Sequence, residues 1–248
     1  MSRFRIFTIL NIIGLVIVLT VNYLANALPI GGQTTGEVSD KVSTLFTPAG
    51  YAFAIWGFIY LLLTIWVARQ FFTRDDQKEV YRKIGGWFFL NALLNSIWVI
   101  IFQYEYFNAS IFVMLGILLT LIIIYTIIQR STYSTWFMRF PISVYIGWIS
   151  VATIVNVFVI FEANGIESLF GLSEQIWAVI MLIIGAILGV VFTLKQQDNA
   201  YSLVFVWAFV AILTKQSDNQ LIVTTSIIAI VLLVLGVLVQ LVRKFRTT

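Results

Sequence analysis

TPAGYAFAIWGFIYLL, residues 47–62, carries no charged side chain and sets five aromatic rings between Tyr51 and Tyr60. The apolar pattern runs on to about residue 70, enough for a membrane-crossing helix, which needs roughly 20 mostly apolar residues. The rest of the chain has the same character: of 248 residues, 60% are hydrophobic and 10% charged, and the mean hydropathy is +0.99. A soluble domain averages about 45–50% apolar and about 25% charged residues. The sequence therefore reads as an all-α, polytopic integral membrane bundle.

Eight stretches fit the spanning length, at about 5–27, 50–70, 86–105, 108–129, 140–162, 173–194, 200–215 and 220–242. The seventh, AYSLVFVWAFVAILTK, is the shortest. Lys and Arg concentrate on the cytoplasmic side of membrane proteins. With the N-terminus inside, 13 of the 15 basic residues become cytoplasmic and only Lys41 and Lys215 lie outside. The acidic residues lean outward: Glu37, Asp40, Glu105, Glu162, Glu167, Glu174 and Asp218 outside, with Asp75, Asp76, Glu79 and Asp198 inside. Eight spans with both termini cytoplasmic produce this split. The net charge of +4 thus reports a basic inner face and gives no reason to expect nucleic acid as a partner. The N-terminal SRFR, apolar run and ANA at 25–27 resemble a signal peptide, but the run exceeds the usual core of about 7–15 residues, so the first helix is retained. The polar segment RDDQKEVYRK, 74–83, reads as a solvated loop.

Absences prune the chemistry. With no Cys and no His the chain offers no disulfide, no thiolate or imidazole metal site and no Ser-His-Asp triad. No acidic or basic residue falls mid-span, which argues against a proton pump or an ion-coupled carrier. There is no Gly-rich phosphate loop.

Rings and amides remain, and they fall in stripes. Phe53, Trp56 and Tyr60 share one face of the second helix at i, i+3 and i+7. In the third, NALLNSIWVIIF aligns Asn91, Asn95, Trp98 and Phe102; in the fifth, YIGWISVATIVN aligns Tyr145, Trp148, Ala152 and Asn156. An amide without a partner is costly in hydrocarbon, so these Asn side chains should face other helices or a ligand. One reading is a pocket of flat rings with a few orienting amides. The other is interfacial aromatic belts with Asn as a tie between helices. Tyr51, Tyr104 and Tyr106, near predicted span ends, suit the belt; Trp98, Trp148 and Asn95, further in, suit the pocket.

The stripes resemble the TspO/MBR family, the tryptophan-rich sensory proteins that include the mitochondrial translocator protein. Pro48, Tyr51, Phe53, Trp56 and Tyr60 stand in the order of the family's first loop and second helix; Asn95, Trp98 and Phe102 match its third helix, and Tyr145, Trp148, Ala152 and Asn156 its fifth. The match departs where paired prolines are usual, since Ala49 follows Pro48, and where Val144 precedes Tyr145 with Pro141 further back. The motifs cover about residues 5–164, and the last three helices look like the extension of longer bacterial relatives. The resemblance thus implies a five-helix domain, 1–164, followed by three added helices, 165–248.

It also implies a receptor or sensor in the bacterial cytoplasmic membrane that binds a porphyrin, protoporphyrin IX-like, or another large hydrophobic aromatic. No cofactor is required. A carrier for a hydrophobic or amphipathic solute and a porphyrin-degrading enzyme are the alternative activities. The implied ligand-binding residues are Tyr51, Phe53, Trp56 and Tyr60 in the second helix, Asn95 and Trp98 in the third, and Tyr145, Trp148, Ala152 and Asn156 in the fifth. The tryptophans would stack, the asparagines would serve as polar contacts or helix ties, and Ala152 would leave room. The expected partners are the lipid bilayer, the hydrophobic ligand and, in a homodimer, a second copy. Leu121, Tyr125 and Arg130 fit a loose cholesterol-contact pattern, which matches many membrane helices by accident. Gly185 and Gly189 form a GxxxG pair, expected to pack helices within the chain rather than to join two copies.

Overall fold

The computed structural model describes residues 3–28, 30–166 and 168–247; Glu167, one of the acidic residues assigned to the outer side, lies outside the described residues. Each of the eight apolar stretches is helical. The helices are α1 (Arg3–Ala27), a short α2 (Thr35–Lys41), α3 (Ile55–Ala68), α4 (Asp75–Ile84), α5 (Trp87–Gln103), α6 (Phe107–Gln129), α7 (Trp136–Ala163), α8 (Glu174–Gln196), α9 (Asn199–Lys215) and α10 (Gln220–Thr247). A small hairpin of β1 (Ser168–Leu169) and β2 (Leu172–Ser173) joins α7 to α8.

Among the described residues, six helical segments are long and apolar enough to cross a membrane: α1, Gly50–Phe72 around α3, α6, α7, α8 and α10. The other two predicted spans, α5 and α9, have 17 residues each. α5 continues from α4 across a 47° bend, and the pair passes the same test together.

The expectation of a solvated loop at 74–83 is corrected by α4. Its sequence suits a helix: Asp75 and Asp76 occupy the first turn and Arg82 and Lys83 the last, each matching the helix dipole. Lys78 pairs with Asp75 at 2.7 Å, and Arg82 pairs with Glu79. Val80, Tyr81 and Ile84 are buried, so the polar count hid an amphipathic face. Gly85, at φ 57°, ends the helix. α2 is also capped locally: Glu37 N–H donates to Thr34 Oγ1, while Glu37 Oε2 accepts from Thr34 N–H, a reciprocal capping box. α7 begins earlier than expected and takes Pro141 inside it, giving up one backbone hydrogen bond near its start.

The packing divides the chain into two compact units. The first comprises Met1–Val38 and Ala54–Ile149, the second Ser39–Phe53 and Ser150–Thr248, so α7 contributes to both. In the first unit α5 packs between α1 and α6. A Cβ at Gly14 would stand 3.2 Å from Ala92 Cβ, so glycine sets the close approach of α1 to α5. Trp66 Nε1 donates to Met138 O at 3.1 Å, and Asn91 Nδ2 donates to Ile117 O and to Thr120 Oγ1. Leu121 and Tyr125 are buried, so the loose cholesterol-contact pattern does not present its apolar residues to lipid.

In the second unit α8, α9 and α10 pack on one another. Gly185 and Gly189 lie at these contacts: a Cβ at Gly185 would stand 2.9 Å from Phe209 Cζ, and one at Gly189 would collide with Leu233. The GxxxG pair therefore packs helices within the chain, as expected. Segment 39–53 is held by the same helices. Ala49 N–H donates to Ala211 O, Trp207 Nε1 to Ala52 O, Gln216 Nε2 to Thr44 O, and Leu45 N–H to Glu174 Oε1. Lys215 and Asp40, both assigned to the outer side, form an ion pair at 2.8 Å. Phe46, fully buried, stacks on Phe158 and meets Phe209 edge-on.

Gly189→Leu is expected to lower the unfolding midpoint of the detergent-purified protein, by overpacking worth about 1–3 kcal/mol. Gly57→Ala, where a Cβ meets nothing within 4 Å, should leave the midpoint unchanged or raise it. A Gly189→Leu protein of unaltered midpoint but smaller particle mass would instead mark a contact between copies.

Candidate functional site

Trp56 and Tyr60 stand one turn apart on α3, and their rings stack with centroids 5.5 Å apart and planes at 18°. Tyr145 and Trp148, three residues apart on α7, meet Trp56 edge-on at 5.9 and 6.3 Å, the arrangement favoured by ring quadrupoles. Tyr145 and Trp148 are buried, whereas Trp56 and Tyr60 are half-buried. All four belong to the first unit.

An amide chain backs these rings. Asn95, 0% exposed, donates from Nδ2 to the Tyr145 hydroxyl at 2.8 Å. Its Oδ1 accepts from Asn22 Nδ2 at 3.0 Å, and Asn22 Nδ2 also donates to Val18 O at 2.9 Å. Asn95 thus links α1, α5 and α7 as a tie. The Tyr60 hydroxyl differs: its oxygen is buried and has no hydrogen-bond partner. Since an unmet buried polar group costs about 1–3 kcal/mol, it marks a position where a ligand could add a bond.

Trp98 stacks on Phe102 at 4.8 Å, and Phe102 meets Phe107 edge-on, a ring cluster joining α5 to the start of α6. Tyr51, Phe53, Ala152 and Asn156 belong to the second unit. There Tyr51 packs edge-on against Trp207 at 5.4 Å, with its hydroxyl 3.4 Å from Thr214 Oγ1. Phe53 and Ala152 are half-buried and Asn156 is buried. Tyr104 and Tyr106 are exposed, as a belt position requires.

Sequence reasoning missed Asn22, although an amide inside an apolar run was a usable signal. It also missed Gln103, whose Nε2 donates to Ala25 O and to Gln33 O. Trp207, the ring beside Tyr51, lies in a helix that carried no recognised motif. Among the described residues no group of three or more His, Cys, Asp or Glu side chains could hold a metal ion.

Apolar helices of spanning length, tied by buried amides, define a multi-pass α-helical membrane protein. A family model described as TSPO-like protein matches residues 8–239, and the chain belongs to that family. The match extends well past residue 164, where the recognised motifs ended, and takes in α8, α9 and most of α10. Comparison with curated proteins and with solved structures gave no match.

Asn95→Leu strips partners from both Asn22 and Tyr145 and is expected to destabilise the protein by about 1–2 kcal/mol. Tyr60→Phe removes a hydroxyl that has no partner and should leave stability unchanged or slightly higher. Unfolding curves of the two variants in the same detergent decide the point; equal losses would show that Tyr60 is bonded in solution.

Proposed function

We propose that this protein is a TSPO-type membrane receptor or sensor that binds a porphyrin, or another large flat hydrophobic aromatic, against the Trp56 and Tyr60 rings. The observation that carries the reading is the buried, unpartnered Tyr60 hydroxyl beside a half-buried indole. Together they supply a flat apolar face for stacking and one polar group that a pyrrole nitrogen or a propionate would satisfy. Small-molecule sites combine apolar walls with a few placed polar groups in this way. Without His or Cys in the chain, a metalloporphyrin would lack a strong axial protein ligand, so a free-base porphyrin suits the site better. Asn95 acts by holding Tyr145 in place rather than by touching the ligand.

The protein crosses the bacterial cytoplasmic membrane eight times with both termini cytoplasmic, a topology supported by the 13 basic residues that this arrangement gathers on one side.

Titration of the detergent-purified chain with protoporphyrin IX in the dark, followed by porphyrin absorbance and tryptophan quenching, tests the reading. Saturable binding is expected, weakened roughly tenfold by Trp56→Leu through lost stacking and burial and several-fold by Tyr60→Phe. Trp136→Leu, at an exposed ring of α7, should bind like the wild type. A folded wild type that fails to saturate, or a Trp56→Leu protein that binds unaltered, overturns it.

A further inference from the structure

The structure also holds a groove that the aromatic cluster does not explain. It lies between the first turns of α1, the 3-10 turn Arg69–Phe72 and α4, with a volume of about 900 Å³. All of its walls belong to the first unit.

Four cations line it, Arg3, Arg5, Lys78 and Arg82, against the single carboxylate of Asp75. Lys78 is paired with Asp75 at 2.7 Å and Arg82 with Glu79, each with further N–H donors for an anion. The α1 wall changes character along its length: Arg3 and Arg5 are followed by Ile9 and Ile12, also in the lining. At 1.5 Å per residue, Arg5 and Ile12 are about 10 Å apart along the axis, enough to run from a phosphate past its ester groups to the methylenes of an acyl chain. Phe71, also in the lining, is 65% exposed, an apolar ring at the end of a segment long enough to span a membrane.

A second, independent observation points to a ligand. Gln70 lines the groove and is 1% exposed, yet its Nε2 has no acceptor. Its Oε1 accepts from Asn11 Nδ2 at 3.2 Å, and Asn11 Oδ1 is likewise unpartnered. Exchanging O and N in both amides does not help, because one donor and one acceptor stay unmet in either assignment. In the assignment that leaves Gln70 Nε2 unmet, an ester or phosphate oxygen would supply the missing acceptor.

We propose that this groove binds one anionic glycerophospholipid, its phosphate held by Arg3, Arg5 and the α4 cations, an ester oxygen at Gln70 and an acyl chain along Ile9 and Ile12. The shared chemistry with a free phosphate is the anion; the apolar wall selects the lipid.

Native mass spectrometry of the full chain, delipidated and mixed with palmitoyl-oleoyl phosphatidylglycerol, phosphatidylcholine of the same chains, or inorganic phosphate, tests this. One phosphatidylglycerol is expected to stay bound and to raise the unfolding temperature, with neither effect from the other two. Each cation near a membrane surface contributes about a fivefold factor for an acidic lipid, so the double variant Arg3→Gln, Arg5→Gln should weaken binding about 25-fold. Gln70→Met, which keeps the charge, should weaken it several-fold. Arg130→Gln and Lys195→Gln, at exposed cations outside the groove, should bind as the wild type does. Equal loss in those two variants would make the attraction diffuse and overturn the site. Equal binding of phosphatidylcholine would overturn the charge recognition, and an equal effect of phosphate alone would overturn the lipid.

Discussion

Inside a bilayer no water is available to a polar side chain, so an amide placed there has to be satisfied by another part of the protein. That constraint organises the first unit. Asn95 reaches Asn22 and Tyr145, Asn91 reaches the backbone and Thr120 of α6, and Gln103 reaches the carbonyl at the end of α1. Each of these residues is on α5, which is thereby joined to α1, α6 and α7. Individually such bonds are modest, averaging about 0.6 kcal/mol in a membrane helix bundle. Their value lies in direction, because an amide permits few rotational settings of its helix, whereas Leu and Ile side chains permit many.

The rings of Trp56, Tyr60, Tyr145 and Trp148 depend on that frame. Tyr145 is positioned through its hydroxyl by Asn95, and Trp56 takes its place against Tyr145 and Trp148. Of the asparagines weighed from the sequence as ligand contacts or helix ties, Asn95 bonds to Asn22 and Tyr145 and Asn91 to α6, while beside the rings the Tyr60 hydroxyl is buried without a partner.

Much of this was legible in the sequence because membranes make the signal coarse. A long uncharged run has few alternatives to a helix, and the i, i+3, i+7 spacing put Trp56 with Tyr60 and Tyr145 with Trp148 before any coordinates were known. What was not legible came from weaker signals. α4 was hidden because seven of its ten residues are polar or charged, and hydropathy does not report a face only three residues wide. The partners of Tyr51 and of the first loop were hidden because nothing in the spacing of 39–53 points to residues more than about 110 positions later. The packing of Phe102, stacked on Trp98, against Phe107 was hidden because a shared stripe gives a helix face, not the neighbour that the face meets.

Those distant partners bear on how the chain is made. Segment 39–53 is held by Glu174, Trp207, Ala211, Lys215 and Gln216, which leave the ribosome long after it does. At about 5–20 residues per second, Lys215, 175 positions after Asp40, is added about 10–35 s later. Until Glu174 is added, 129 positions after Leu45, the loop ahead of α3 has none of these anchors, and the set is complete only with Gln216.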